Sequence, residues 1–278
     1  MTSSNREDQL SPTKKADIHA PSPEHDLEGE VSLVGQLLSD RYRIERHLGH
    51  GAMGSVYLAE HTLMHKRVAI KVLHAEMSRS PEVVARFERE AVAAGHIEHP
   101  NVASASDFGK LDDGSFFLVL EYIEGIGLRD ALEQYGHLPP KRALHIAAQI
   151  CSALVRAHEL GIVHRDLKPE NVMLVDRGGD PDFVKVLDFG IARVPIGDLS
   201  VAKKGTSAAL TRAGMVYGTP EYMAPEQAMG QDVDARADLY ALGIMLYEML
   251  VGQRPFFAES KVVLLGMHVT APVPPMRD

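Results

Sequence analysis

Apolar and polar residues alternate along three successive stretches. In "YRIERHL", Tyr42, Ile44, Arg46 and Leu48 fall on one face of a two-residue period. After a glycine-rich turn "SVYLAEH" resumes the alternation, and "KRVAIKVL" is a third β-rich run, so three strands are expected. The period changes after Ser80, which suits a helix N-cap. Pro81 suits the first helical position, and a helix is expected to about Ile97. "FFLVLEYIEG" reads as a further strand. Beyond about Leu128 the pattern predicts long helices over 139–160 and 234–252. A small β-rich part followed by a larger α-rich part predicts an α+β chain of two lobes with a cleft between them. No internal repeat is visible.

Residues 1–40 contain no aromatic side chain and are rich in Ser, Pro, Asp and Glu. Such a stretch buries too little apolar surface to offset its ordering entropy. Periodicity shows only near "VSLVGQLL", so 1–30 is expected to be disordered and 31–40 a lead-in, together a tail before a domain spanning 41–278, with lobes at 41–124 and 125–278. The net charge of -9 argues against nucleic acid as a partner, which would favour a basic face. The single cysteine, Cys151, lies in the apolar-rich "LHIAAQICSALVRAH" and reads as a small core residue. One cysteine excludes an internal disulfide and suits a reducing compartment. The most apolar run, "LYALGIMLYEMLVG", is short and carries Glu248, so it reads as a buried helix. With no membrane segment and no apolar leader, a cytoplasmic location is expected.

Three polar features break the apolar pattern. Gly49, Gly51 and Gly54 form G-x-G-x-x-G, in which missing Cβ atoms let backbone amides approach phosphate oxygens. A dinucleotide-binding fold would need a helix after the third glycine, yet "SVYLAEH" reads as strand. A P-loop would need Lys-Ser/Thr there, and Ser55-Val56 follows. A flap over phosphates and a plain glycine-rich hairpin remain. Lys71 closes the alternation in "VAIKV" and reads either as an outward-facing residue or as the partner of Glu90. Glu90 shares a helix face with Val83, Phe87, Ala94 and Ile97, and a carboxylate on such a face favours a cation. Finally, "HRDLKPENVMLVDRGGDPDFVKVLDFG" sets Asp166, Asn171 and Asp188 in apolar surroundings, where unpaired carboxylates are costly.

These segments together resemble the eukaryotic-like (Hanks-type) protein kinases. Gly49–Val56 is similar to that family's nucleotide loop, "VAIK" to its lysine strand and "HRDLKPEN" to its catalytic loop. "DFG" is similar to its metal-binding motif and "APE" to the end of its activation segment, all in the family's order. The resemblance implies a bilobal fold and a serine/threonine protein kinase using ATP and Mg²⁺. It assigns the metal to Asn171 and Asp188, and orientation of the acceptor hydroxyl to Asp166. Charge neutralisation falls to Lys168, and the α- and β-phosphates to Lys71 positioned by Glu90. It gives the adenine to the backbone of Glu121 and Ile123. Leu48, Gly49, Gly51, Gly54, Val56, Ala69 and Met173 lie around the nucleotide, and Leu120 stands at the gatekeeper position. His164 is implied to pack beneath Phe189, and Asp238 to brace the catalytic loop.

"DLKPEN" and "GTPEYMAPE" resemble the serine/threonine form, and "PEQ" with "VDARADLYALG" the bacterial branch. The implied partners are proteins with Ser or Thr acceptors. The long segment between Asp188 and Glu226 carries Thr206, Ser207 and Thr211 among Lys203, Lys204 and Arg212. By resemblance Arg165 anchors a phosphate there, Thr211 is the favoured site, and Thr219 touches the catalytic aspartate. Self-association would serve autophosphorylation in trans. The family's large lobe normally runs several tens of residues past "APVPPMRD", so a short lobe without an arginine partner for Glu226 is expected. An ATP-binding but catalytically weak module is the alternative reading.

Overall fold

The computed structural model describes residues 32–51, 54–189 and 219–276. Six antiparallel strands open the domain: β1 (Leu37–Leu38), β2 (Tyr42–Gly51), β3 (Gly54–His61), β4 (Lys66–Leu73), β5 (Ala105–Lys110) and β6 (Phe116–Glu121). Their order in the sheet is β1-β2-β3-β4-β6-β5. The alternation read from the sequence becomes a core of Tyr42, Ile44, Ala59, Val68, Ile70, Phe117 and Val119 on one face. Two register shifts in β2, before Arg46 and before Gly49, bend the strand where it nears the glycine turn.

Helix α1 (Ala75–Ser78) leads to α2 (Pro81–His96), and both start signals of α2 are realised: Pro81 sits in the first turn, and the Ser80 hydroxyl accepts the Val83 N–H at 3.5 Å. Phe87, Ala94 and Ile97 of the expected face are buried.

A second sheet, β7 (Ile126–Gly127), β8 (Val172–Arg177) and β9 (Asp180–Val186), lies among helices α3 (Leu128–Tyr135), α4 (Pro140–Glu159), α5 (Pro225–Ala228), α6 (Arg236–Val251) and α7 (Lys261–Thr270). Ile146, Ile150, Leu154, Met245 and Met249 of α4 and α6 share the core of this lobe, which Cys151 flanks. Helix α6 is apolar on most sides because it is packed on most sides.

Two expectations need correction. The tail does not extend to residue 40: the compact unit starts at Leu33. Leu37 and Leu38 pair with Arg43 and Tyr42, and Leu38 is buried, so the few apolar residues of "VSLVGQLL" suffice to add an edge strand. The strand expected over "FFLVLEYIEG" ends at Glu121, whose N–H bonds the Ser104 carbonyl before the chain leaves the sheet. Among the described residues no helix is long and apolar enough to cross a membrane.

Candidate active site

Strand β4 buries Val68, Ile70 and Val72 and turns Ala69 and Lys71 to its half-open face. Val56 stands across from Lys71 and Leu120 across from Ala69, on the same face because paired residues of an antiparallel ladder share one. Leu48, Gly49 and Gly51 lie on β2. Gly54 opens β3, where a Cβ would fall 2.0 Å from the Val72 carbonyl oxygen. Residues 52 and 53 of the turn lie outside the described residues.

The segment after α4 is set by its backbone bonds. Gly161 turns with φ +73°, and Arg165, without glycine's freedom, is held at φ +65°. Asp238, 1% exposed, accepts the N–H of His164 on Oδ2 and that of Arg165 on Oδ1, each at 2.8 Å. His158 Nε2 shares Oδ2 at 2.8 Å. The Asn171 side chain, from a 3₁₀ turn at Pro169–Asn171, donates Nδ2 to the Asp166 carbonyl at 2.8 Å. Its backbone carbonyl accepts the Leu187 N–H at 2.9 Å, tying the two polar segments together. His164 Nδ1 accepts the Asp166 N–H, and its Nε2 donates to the Leu187 carbonyl at 2.9 Å. Its ring lies 4.9 Å from that of buried Phe189, tilted by 55°. With both nitrogens engaged by backbone, His164 has no free one for a general base.

The two carboxylates line an opening and are not core: the Asp166 and Asp188 side chains are 31% and 32% exposed. Each has a lysine. Lys71 Nζ donates to Asp188 Oδ2 at 2.9 Å, and Lys168 Nζ stands 3.1 Å from Asp166 Oδ2. Burial pushes the Asp188 pKa up, but the Lys71 charge and hydrogen bond outweigh it, with help from His164 and Lys168, and hold it below the usual value. Lys168 also donates to the Thr219 hydroxyl at 2.9 Å, so the link from Thr219 toward the aspartate runs through Lys168. Glu90 lies on α2, but its side chain, like all of Thr206, Ser207 and Thr211, is outside the described residues. Met173 is half-buried on β8, opposite Lys185 of β9.

Several bonded groups were not anticipated. Gln227 accepts the Ala224 N–H at 3.0 Å and donates to the Arg165 carbonyl at 2.9 Å, fastening the "APEQ" segment to the loop that carries Asp166. Arg129 bonds Glu248 at 2.9 Å and Glu170 at 3.1 Å, and also the Tyr222 hydroxyl, which donates to Glu248 at 2.5 Å. Burial disfavours the Arg129 charge, yet Glu248, Tyr222 and Glu170 together raise its pKa. Burial and Glu248 likewise push the Tyr222 hydroxyl up. Glu248 within an apolar helix was the visible sign: a carboxylate there needs a cation. Nothing local in the sequence points to Arg129, 119 positions away.

The sequence pattern of the protein kinase domain matches residues 42–271. The chain is 45% identical over 242 residues to the serine/threonine-protein kinase pkn3 of Myxococcus xanthus, covering 87% of this chain and 43% of that one. It is 43% identical over 246 residues to PknB of Mycolicibacterium smegmatis, covering 87% and 37%. The chain thus spans less than half the length of these curated relatives. Among solved structures, a PknI kinase domain of Mycobacterium tuberculosis (C20A_R136A double mutant) superposes with a TM-score of 0.64 at 30% identity, covering 81% of this chain and 78% of that one.

Proposed function

From the premise that this chain belongs to the protein kinase family, of the bacterial Hanks type, we propose that it transfers the γ-phosphoryl group of ATP to Ser or Thr hydroxyls of proteins. The observation that carries this reading is the convergence of two lysine–carboxylate pairs, Lys71–Asp188 and Lys168–Asp166, joined through Asn171.

The donor set fits a hard cation. Asp188 is held ionised with one oxygen on Lys71, and the Asn171 amide N–H₂ is spent on the Asp166 carbonyl, which leaves its oxygen for a metal. One carboxylate and one amide oxygen suit Mg²⁺, which keeps several waters and takes substrate phosphates as further ligands. When bound, the ion draws charge from the phosphate oxygens. The residues supply positioning and charge. Asp166 receives and aligns the acceptor hydroxyl. Lys168, between Asp166 and Thr219, neutralises the phosphoryl group in transit. Lys71 holds the α- and β-phosphates. The Glu121 carbonyl and the Ile123 N–H are assigned to the purine, with Leu48, Val56, Ala69 and Met173 against its faces and the glycine turn over the phosphates.

Arg165 is assigned to a phosphate on the 190–218 segment, with Thr211 the favoured autophosphorylation site, acquired through self-association. The proposed setting is the cytoplasm, where ATP is available and a lone cysteine stays reduced.

The test is transfer of label from ATP in the presence of Mg²⁺ to a generic basic protein, by the wild type and by Asp166→Asn. Incorporation on Ser and Thr that is lost in the variant supports a kinase. Nucleotide-induced thermal stabilisation without Asp166-dependent transfer would replace that reading with an ATP-binding module.

A further inference from the structure

Strand β9 places a lysine where its apolar neighbours leave no obvious use for one. Val184 and Val186 are fully buried on one face, and Lys185 lies on the other, beside Met173. The Lys185 side chain is only 12% exposed, and its ammonium turns to the segment that leaves the first sheet. Nζ donates to Glu121 Oε2 at 2.9 Å and to the Val102 carbonyl at 3.2 Å. The same carboxylate oxygen accepts the Ser104 N–H at 3.3 Å, while the Glu121 N–H bonds the Ser104 carbonyl at 2.8 Å. Residues 101–103 are in turn laced to β9: Val186 N–H bonds the Asn101 carbonyl at 2.8 Å, and Ala103 N–H the Val186 carbonyl at 2.9 Å. Lys185, Glu121, Ser104 and Val102 therefore close a ring that joins β6, the approach to β5 and β9.

Among the described residues two ion pairs join the six-stranded sheet to the second lobe: Lys71–Asp188 and Lys185–Glu121. They differ in what a nucleotide would do to them. Lys71 and Asp188 both have work on phosphates and metal, so that pair is remade when ligand arrives. The Lys185 pair is spent on a side chain and a backbone carbonyl, which leaves it intact through that exchange. Glu121 is also the residue whose own carbonyl is assigned to the purine, and Asp188 follows Lys185 by three positions on the same run of chain.

We propose that Lys185 is a positioning residue for nucleotide binding. By holding the Glu121 carboxylate it fixes the main chain at Glu121 and Ile123 relative to β9, and so sets the distance between the purine-reading backbone and the metal-binding carboxylate. The inference rests on the proposed nucleotide site. A carboxylate left half-buried without its cation would seek water and swing that backbone away.

Affinity for a fluorescent ATP analogue with Mg²⁺ is measured on the whole chain for the wild type, Lys185→Met, Lys185→Arg, Glu121→Gln and the Lys185→Met/Glu121→Gln pair, with melting curves for each. Kd for Lys185→Met should rise about tenfold, equivalent to about 1.4 kcal/mol. Lys185→Arg should recover most of it, and KM for the protein acceptor should stay within about threefold of wild type, less than about 0.7 kcal/mol. Glu121→Gln should weaken nucleotide similarly, and the double variant should be no worse than either single one. A merely structural lysine would lower the melting temperature and move both substrates' constants together. Unchanged nucleotide affinity in Lys185→Met, or single effects that add in the pair, would overturn the inference and leave the proposed function standing. A wild type that binds no nucleotide would overturn both.

Discussion

Asp238 and Arg165 are joined by a 2.8 Å bond from the Arg165 N–H to Oδ1, at a residue held in the left-handed region with φ +65°. A non-glycine residue there costs about 1–3 kcal/mol, so the surroundings must enforce it. The enforcing group is a carboxylate that also receives the neighbouring His164 N–H.

Replacing Asp238 with Ala should therefore act on the catalytic loop from beneath. Two backbone donors, that of His164 buried and that of Arg165 partly so, lose their acceptor, at a cost of about 3 kcal/mol. In a domain of this size that corresponds to a fall of roughly 6–12 °C in Tm. Transfer activity should drop further than the folded fraction accounts for, because Asp166 follows directly on Arg165. Calorimetry and initial rates below the transition check both; a variant with wild-type Tm would show that the loop holds its shape by other means.

The glycine turn makes an unequal prediction for two residues of one motif. A Cβ at Gly54 would lie 2.0 Å from the Val72 carbonyl oxygen and 2.9 Å from its carbon, both backbone atoms of the paired strand. The ladder must open there, and Gly54→Ala should cost about 1–3 kcal/mol and weaken nucleotide binding. A Cβ at Gly49 meets nothing within 4 Å. Gly49→Ala should stay within about 1 kcal/mol of wild type. Paired urea titrations decide it, and equal losses for both variants would refute the steric argument.

Much of this was legible in the sequence because the signals were local. Alternation at Tyr42–Ile44 and in "VAIKV", the Ser80-Pro81 start of α2 and the order of the motif residues all depend on near neighbours. What escaped were partners chosen by the fold. Gln227 reaches back 62 residues to the Arg165 carbonyl, and Lys185 reaches 64 to Glu121. An apolar strand with one lysine in "FVKVLDFG" announces that a cation is needed, but not by whom. The tail was overextended for the opposite reason: Leu37 and Leu38 are too few to read as a strand until β2 is there to receive them.

His268 gives the domain a stability that depends on pH. It is 5% exposed on α7, which packs on the 3₁₀ turn Pro220–Tyr222 just after Thr219. Its Nδ1 meets the Tyr240 hydroxyl at 2.8 Å, and its ring sits 5.1 Å from Phe256. Burial, aided by Arg254, lowers its pKa below 6.5 against the opposing pull of Glu221 and the Pro220 carbonyl. The folded state therefore prefers the neutral ring, while the unfolded chain takes up a proton as pH falls through 6.5. Well above 6.5 both states hold the ring neutral and the group contributes almost nothing to the pH slope. Below it, unfolding gains up to about 1.4 kcal/mol per pH unit until the folded-state pKa is reached. His268→Gln removes the titration but keeps a hydrogen-bonding side chain for Tyr240, so its stability should fall less steeply than that of wild type as the pH drops below 6.5. Urea unfolding of both proteins across that drop reads the difference. Parallel slopes would mean that the proton enters elsewhere, with the half-buried His99, whose pKa is also lowered by burial, the next residue to replace.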